Sequence, residues 1–327
     1  MGNEIRWGIA GPGKIAHKFA QDLQLVKGGH ITAVGSRSIE RAKAFAKEYG
    51  AQHAYASYEA LFKSEEIDIV YIATPHNSHA ELTLLAIKHG KHVLCEKPGG
   101  VKKYEVQQMV NAAQEKGVFF MEALWSRFNP AIKKVKALID SNEIGDVGYL
   151  KADFAFYGLD RDEKGRLLNP DLAGGSLLDI GIYPIFLSYL ILGKPQEILA
   201  TSKFHTTGVE IQTAMIFNYK NAQALLYSGN STNSECKAEI AGATGSLFIP
   251  GRWHEAQGYS LEKNDELTDF DLPRNGYGYT HEIEEVHKCL QEGKTESELW
   301  SHQNSLDLIE LLDAVRAKAG ITFPFEK

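Results

Sequence analysis

The chain has 327 residues, 43 % of them hydrophobic and 24 % charged, with a formal net charge of −7. That length exceeds what one compact core usually carries, so two domains are the expectation. The acidic balance leaves no electrostatic footprint for nucleic acid or an anionic membrane, and a small molecule becomes the expected partner.

The opening MGNEIRWGIAGPGKIAHKF has neither the basic region nor the apolar core of a signal peptide. Arg6 also stands where a myristoylation motif requires Ser or Thr. Strand-like runs follow: IRWGIA, HITAV, IDIVYIAT, KHVLCE and VFFME, each short, apolar and bounded by charged or turn residues. Amphipathic patterns lie between them, such as KIAHKFAQDL with Ile15, Phe19 and Leu23 on one stripe. Another, IERAKAFAKEYG, ends at Gly50. Strands alternating with helices in this way imply a doubly wound parallel sheet covered on both faces, an α/β Rossmann domain over residues 1–124.

In the first unit, Gly11-Pro12-Gly13-Lys14-Ile15-Ala16 matches G-x-G-x-x-A between a strand and a helix. Such glycines let the backbone approach a pyrophosphate, and the following helix offers N–H groups and the positive end of its dipole. A tight turn without a ligand is the plainer alternative. At the end of the second strand, where an NAD site usually carries an acid, stand Gly35, Ser36, Arg37 and Ser38. A guanidinium beside hydroxyls suits a 2′-phosphate, so NADP is expected over NAD. Ser36 or Ser38 could equally be the N-cap of the next helix. IATPHNSHAEL, carrying Thr74, Pro75, Asn77 and His79, ends one strand and opens a helix at Asn77 or Ser78. GKHVLCEKPGG ends another at Glu96-Lys97-Pro98. Both stretches fall at strand C-termini, where open parallel sheets bind ligands.

EALWSRF then introduces Trp125, Arg127 and Phe128, candidates for lining a substrate pocket or simply for packing at a domain boundary. Asn129 and Pro130 open a helix with Ile132, Val135, Leu138 and Ile139 on one stripe. Beyond Gly145 come VGYLKADFAFYG, EILATSKFHT, VEIQTAMIFNY, AQALLYSGNST, KAEIAGA and GSLFI. Many alternate with period two, as strands with one covered face do. Helices are expected near 176–192, 279–292 and 301–319. The second domain, residues 125–327, thus reads as α+β with a large, mainly antiparallel sheet, its last helix free to pack back on the first domain. The crevice between the domains is the expected place for the substrate.

Within LLDIGIYP, Asp179 and Tyr183 lie one helical turn apart on one face. A buried structural hydrogen bond would explain them. So would a proton-transfer site: oxidising an alcohol needs a hydride acceptor and a group that takes the hydroxyl proton. A free tyrosine, with a pKa of about 10, is a poor base at neutral pH, and a nearby ammonium would stabilise its phenolate. Lys97 is the candidate ammonium, and Asp179 would orient the hydroxyl or hold Lys97 charged. Tyr157 is a further candidate for the pocket wall. The segment 159–175 reads as a loop over the pocket, or as a solvated surface loop. The apolar run IYPIFLSYLIL is too short to cross a bilayer. Cys95, Cys236 and Cys289 are far apart and odd in number, which fits a reducing compartment and a cytoplasmic protein. No Cys/His cluster has zinc spacing, and no metal is expected.

These pieces together, GIAGPGKIA, SRSIERAKAFAKEYG, ATPHNSHAELTLLAIKHGKHVLCEKP, GGSLLDIGIYP, GATGSLFI and the closing helix, resemble the Gfo/Idh/MocA family of NAD(P)-dependent oxidoreductases. The resemblance implies a Rossmann domain and a C-terminal sheet domain that often forms homodimers. It places Lys97 at the family's EKP lysine, with a cis bond into Pro98, and Asp179 at its downstream aspartate. Most members carry histidine where this chain has Tyr183. Tyrosine there, with EALWSRF, is similar to the branch of dimeric dihydrodiol dehydrogenases and NADP-dependent xylose dehydrogenases, where the tyrosine is the acid/base. The implied substrate is a secondary alcohol, aldose or diol. The alternatives are a non-catalytic cofactor-binding sensor and a cofactor-retaining enzyme of glycosidase type.

Overall fold

The computed structural model describes residues 4–326. Its first half follows the alternation of apolar runs and amphipathic stretches. In order come β1 (Ile5–Ala10), α1 (Lys14–Leu23), β2 (Gly29–Gly35), α2 (Ile39–Tyr49), β3 (His53–Tyr55) and α3 (Tyr58–Lys63). After them stand β4 (Ile69–Ile72), α4 (His79–Lys88), β5 (His92–Glu96), α5 (Lys103–Lys116) and β6 (Phe120–Ala123). The strands form one sheet in the order β3-β2-β1-β4-β5-β6, every pair parallel. All four residues of β4 are buried, as expected of a strand covered on both faces. Strand order reverses between β1 and β4, the switch point at which doubly wound sheets bind ligands. The three-residue β3 is an addition to the five apolar runs; its half-buried His-Ala-Tyr carries no clear period.

The second half contributes α6 (Pro130–Asp140), β7 (Val147–Ala155) and α7 (Ile182–Leu192). Then come β8 (Glu197–Phe204), β9 (Glu210–Asn218), β10 (Gln223–Gly229), β11 (Ala238–Gly242), β12 (Ser246–Ile249), β13 (Gly258–Lys263) and β14 (Glu266–Asp271). The chain closes with α8 (Thr280–Gln291) and α9 (His302–Ala319). Eight strands form a second sheet, β14-β13-β12-β11-β7-β10-β9-β8, in which β7 and β10 are parallel and the other pairs antiparallel. The hairpin of β13 and β14 went unread in the sequence, although Asn264 and Asp265 form its turn at φ of 55° and 62°.

The second sheet has unlike faces. Thr213, Met215, Phe217, Ala224 and Leu226 are buried, whereas Leu199, Ile216 and Leu225, between them in the strand period, are 47 %, 37 % and 40 % exposed. On that open face Leu199, Ile216, Leu225 and Tyr227 line a shallow depression of about 420 Å³. The segment Pro170–Leu192, which contains α7, has the length and hydropathy of a membrane span, so the sequence reading of this region as too short needs correction. Its most apolar window is 78 % buried inside the protein.

By contact density the chain divides into two units. The first comprises the residues up to Phe128 with Asn275–Leu306, the second Asn129–Arg274 with the residues from Asp307 onward. This partition differs from a boundary at residue 124, because 275–306 return to the first unit. Buried Asp22 on α1 draws them in, accepting the backbone N–H groups of Tyr277 and Tyr279 at 2.8 Å each. Trp7 on β1 adds an indole hydrogen bond of 3.1 Å to His287 of α8.

Candidate active site

In the first unit, β1 delivers the chain to Gly11 at φ +92°, where a Cβ would meet Thr74 Cγ2 at 2.9 Å. Only glycine suits that backbone and that approach. Gly13 is different. A Cβ there would meet nothing nearer than the Gly11 carbonyl oxygen at 4.0 Å, so it borders open space at the start of α1. As N-cap of α1, Gly13 brings no side-chain cap, and the first N–H groups of the helix stay available to an anion. This cradle fits a pyrophosphate.

At the end of β2, Ser38 caps α2, accepting the Arg41 backbone N–H at 3.3 Å, while Ser36 is buried and accepts the Ser38 N–H at 3.2 Å. Arg37 is exposed. Four residues on, the Arg41 guanidinium donates to the Pro12 carbonyl at 3.1 Å, which places a second cation beside the glycine turn. Sequence reasoning missed Arg41. Its place in the first turn of the helix that follows the end of β2 is the signal that could have found it.

The other two strand-end loops are tied together from behind. His79 is 1 % exposed, with Nδ1 2.7 Å from the Pro98 carbonyl and Nε2 2.8 Å from the Thr74 carbonyl. Burial lowers its pKa, and the two carbonyls work against that. His79 therefore braces the loops through its ring, while Ser78 bonds Thr74 Oγ1 and the Pro75 carbonyl at 2.8 Å each. Asn77 is exposed. The Lys97–Pro98 bond is cis. Glu96 points inward, receiving the Tyr71 hydroxyl and, at 3.3 Å, the Lys97 backbone N–H. Buried Glu122 at the end of β6 accepts the Gly99 N–H at 2.8 Å and the Trp300 indole N–H at 3.4 Å. Burial raises the Glu122 pKa, opposed by those hydrogen bonds and by the Lys97 charge. Lys97 thus leaves a turn fixed on both sides by buried carboxylates.

Of the candidate wall residues in this unit, Trp125 stacks on Tyr279 with ring centroids 5.1 Å apart. Arg127 donates to the Leu299 carbonyl at 2.9 Å, and Phe128 is 2 % exposed. Arg127 is thus braced within its own unit, and Phe128 is buried.

In the second unit, Asp179 lies on a π-helical turn, Leu177–Gly181, that runs directly into α7 with Tyr183 in its first turn. A π-turn widens the helix where a uniform α-helix was expected, and such turns recur at functional sites. The glycines of GGSLLDIG are explained by close packing. At Gly174 a Cβ would meet the Asn169 carbonyl oxygen at 2.7 Å; at Gly175, with φ +122°, the Glu210 carboxylate at 3.0 Å; at Gly181, Ser228 Oγ at 2.8 Å. Tyr183 is 5 % exposed, its ring 5.3 Å from His254 and 5.6 Å from Phe154, which stack on each other at 4.0 Å. Neither Phe154 nor His254 was a sequence candidate. Period two in KADFAFYG puts Phe154 on the covered face of β7, but His254 follows an irregular loop that carries no such signal.

Asp179 has a partner the sequence did not suggest. The Arg166 guanidinium reaches it at 2.9 Å from the loop 159–175. That loop is not simply solvated. Leu167 and Leu168 are 3 % and 0 % exposed and pack with Val209, Ile211, Phe156 and Leu159, while Arg161 lies over the Phe156 ring at 4.8 Å. Tyr157, at the start of this region, is 51 % exposed.

Two family models match the chain: "Oxidoreductase family, NAD-binding Rossmann fold" over residues 5–124 and "GFO/IDH/MocA C-terminal domain" over residues 132–248. Among curated proteins, trans-1,2-dihydrobenzene-1,2-diol dehydrogenase of Mus musculus is 35 % identical over 336 residues, 99 % of each chain. The Homo sapiens protein of the same name is 33 % identical over 337 residues, again 99 % of each. Among solved structures, KijD10, a 3-ketoreductase from Actinomadura kijaniata in complex with NADP and TDP-benzene, superposes with a TM-score of 0.88 at 28 % identity. The match covers 97 % of this chain and 98 % of that one.

Proposed function

The chain belongs to the Gfo/Idh/MocA oxidoreductase family, and from that premise we propose that it is an NADP-dependent dehydrogenase acting on a secondary alcohol of a diol or aldose. The observation that carries this reading is Tyr183, a phenol at the head of an apolar helix, set against Phe154 and His254 and one turn beyond an ion-paired aspartate.

The backbone of Gly11–Ile15 would hold the pyrophosphate, and Ser36, Arg37 and Arg41 the 2′-phosphate; two guanidiniums at one phosphate favour NADP over NAD. Bound there, the nicotinamide supplies the hydride acceptor. Tyr183 takes the hydroxyl proton as general base and returns it in the reverse direction, and Lys97 is retained as the second catalytic group of the reading. Asp179, paired with Arg166, orients the substrate hydroxyl. The wall of Phe154 and His254 suits the flat apolar face of a cyclic diol or a sugar ring.

We further propose a homodimer through the open face of the second sheet, where exposed Leu199, Ile216 and Leu225 form an apolar patch of the kind that marks an interface. The three cysteines are free and buried, which supports a cytoplasmic location. A thermal-shift titration of cofactor-stripped protein tests the cofactor assignment. A ligand that binds the native state alone raises the melting temperature according to its affinity. NADPH is expected to give the larger shift; a larger shift with NADH overturns the assignment.

A further inference from the structure

We propose that Glu210 is the positioning residue of the proton-transfer helix, its buried carboxylate clamping the backbone at the entry to the turn that carries Asp179. The inference rests on the reading of Asp179 and Tyr183 given above. Glu210, the first residue of β9, is 2 % exposed. Its Oε2 accepts the Ser176 N–H at 2.9 Å, and its Oε1 accepts the Leu177 N–H. Those two donors are orphans of a helical start, where a negative charge is also favoured by the helix dipole. Because they immediately precede Leu178 and Asp179, fixing them fixes the origin from which the helix projects Asp179 and, one turn later, Tyr183.

The neighbours are shaped to this carboxylate. Gly175, at φ +122°, leaves room that any side chain would take from it. Ser176 Oγ turns to Ser228 Oγ at 2.9 Å, joining the same turn to β10. The charged group facing Glu210 is Asp179, which is ion-paired with Arg166 from the loop. On β8 the opposite residue is the uncharged Phe204, with the backbone of His205 paired to Val209 beyond it; on the other side β10 ends at Gly229, opposite Gln212. Burial, reinforced by Asp179 and opposed by the two N–H groups and the Ser176 hydroxyl, pushes the Glu210 carboxyl up to about 7. A proton on it removes one acceptor and loosens the clamp. The clamp is therefore complete on the alkaline side of neutrality, the side on which a phenol base also gains.

The test uses the full-length protein loaded with NADP+ and trans-1,2-dihydrobenzene-1,2-diol, comparing the parent with Glu210→Gln and Glu210→Asp. Gln keeps the volume and one acceptor but cannot titrate, and it cannot serve both N–H groups as a carboxylate does. The expected result is a loss of roughly tenfold to a hundredfold in kcat with unchanged NADP+ affinity, as a displaced catalytic group gives. The inflection near neutrality in the pH profile of kcat is lost in Glu210→Gln and kept in Glu210→Asp. Amide hydrogen exchange across residues 174–181 adds a readout that needs no turnover: faster exchange in Glu210→Gln supports the clamp, and unchanged exchange overturns it. Parental kcat and pH profile in Glu210→Gln would likewise overturn it. A parent inactive on the diol and on aldoses would defeat the functional reading alone, the exchange comparison still deciding the clamp.

Discussion

Each unit holds a buried glutamate against backbone N–H groups beside a residue of the proposed chemistry, and the two differ in the charge they face. Glu122 binds the Gly99 N–H just past Lys97, with an ammonium nearby that favours its ionised form. Glu210 binds the Ser176 and Leu177 N–H groups just ahead of Asp179, with a carboxylate nearby that opposes it. Burial raises both carboxyls, and the neighbouring charge opposes that shift on Glu122 and reinforces it on Glu210. The lesson is that a backbone clamp and a pH response need not be separate structures; burial sets the shift, and the sign of a neighbouring charge adds to it or subtracts from it.

That contrast can be broken in order of expected effect. Lys97→Met should lower turnover roughly 10²–10⁴-fold, the range of general acid–base assistance. Steady-state kinetics would check this, and parental turnover would remove Lys97 from the chemistry. Arg37→Ala combined with Arg41→Ala should weaken NADPH roughly tenfold to a hundredfold, as losing charge-assisted hydrogen bonds does, and leave NADH unchanged. Fluorescence titration with both cofactors reads this directly, and equal losses would point to damage in the glycine turn instead.

Glu122→Ala strands the Gly99 N–H, while the Trp300 indole keeps Ser305 Oγ at 3.0 Å, and should cost about 1–3 kcal/mol of stability, seen as a lower urea midpoint. The smallest effect is on pH-dependent stability. The folded-state pKa of Glu210 lies above that of an unfolded carboxyl, so the native state keeps a proton the unfolded state has released. Its contribution is therefore greatest at acid pH and is lost as pH rises toward about 7. Glu122 and Glu282, also raised by burial, act in the same direction. Urea midpoints between acid and neutral pH should fall less steeply in Glu210→Gln than in the parent; parallel slopes would show that the pH response lies elsewhere.

Legibility in the sequence followed the range of the interactions. β1, the Gly11–Gly13 turn, the N-caps Ser38 and Asn129, the end of α2 at Gly50 and the two-sheet class all follow from local pattern, since their causes lie within a few residues. Asp179 and Tyr183 were legible for the same reason, being one turn apart. What they touch was not. The Arg166–Asp179 pair, the His254 ring beside Tyr183 and the Glu210 clamp join segments 13, 71 and 33 residues apart, and period and spacing carry no trace of such closure. The return of 275–306 to the first unit is a longer case, held by Asp22, by the Trp7–His287 bond and by the Trp300–Glu122 bond. His79 combines the two. It sits in a motif that reads as cofactor-binding, and its buried ring lies between two carbonyls of its own chain that no local pattern announces.

The most direct measurement is a single-turnover reaction of trans-1,2-dihydrobenzene-1,2-diol with NADP+-loaded parent and Tyr183→Phe, followed by nicotinamide absorbance. The account predicts reduced cofactor in the parent and almost none in the variant, with both binding NADP+ equally. Reduction at the same rate in both would contradict the assignment of Tyr183 as the acid/base.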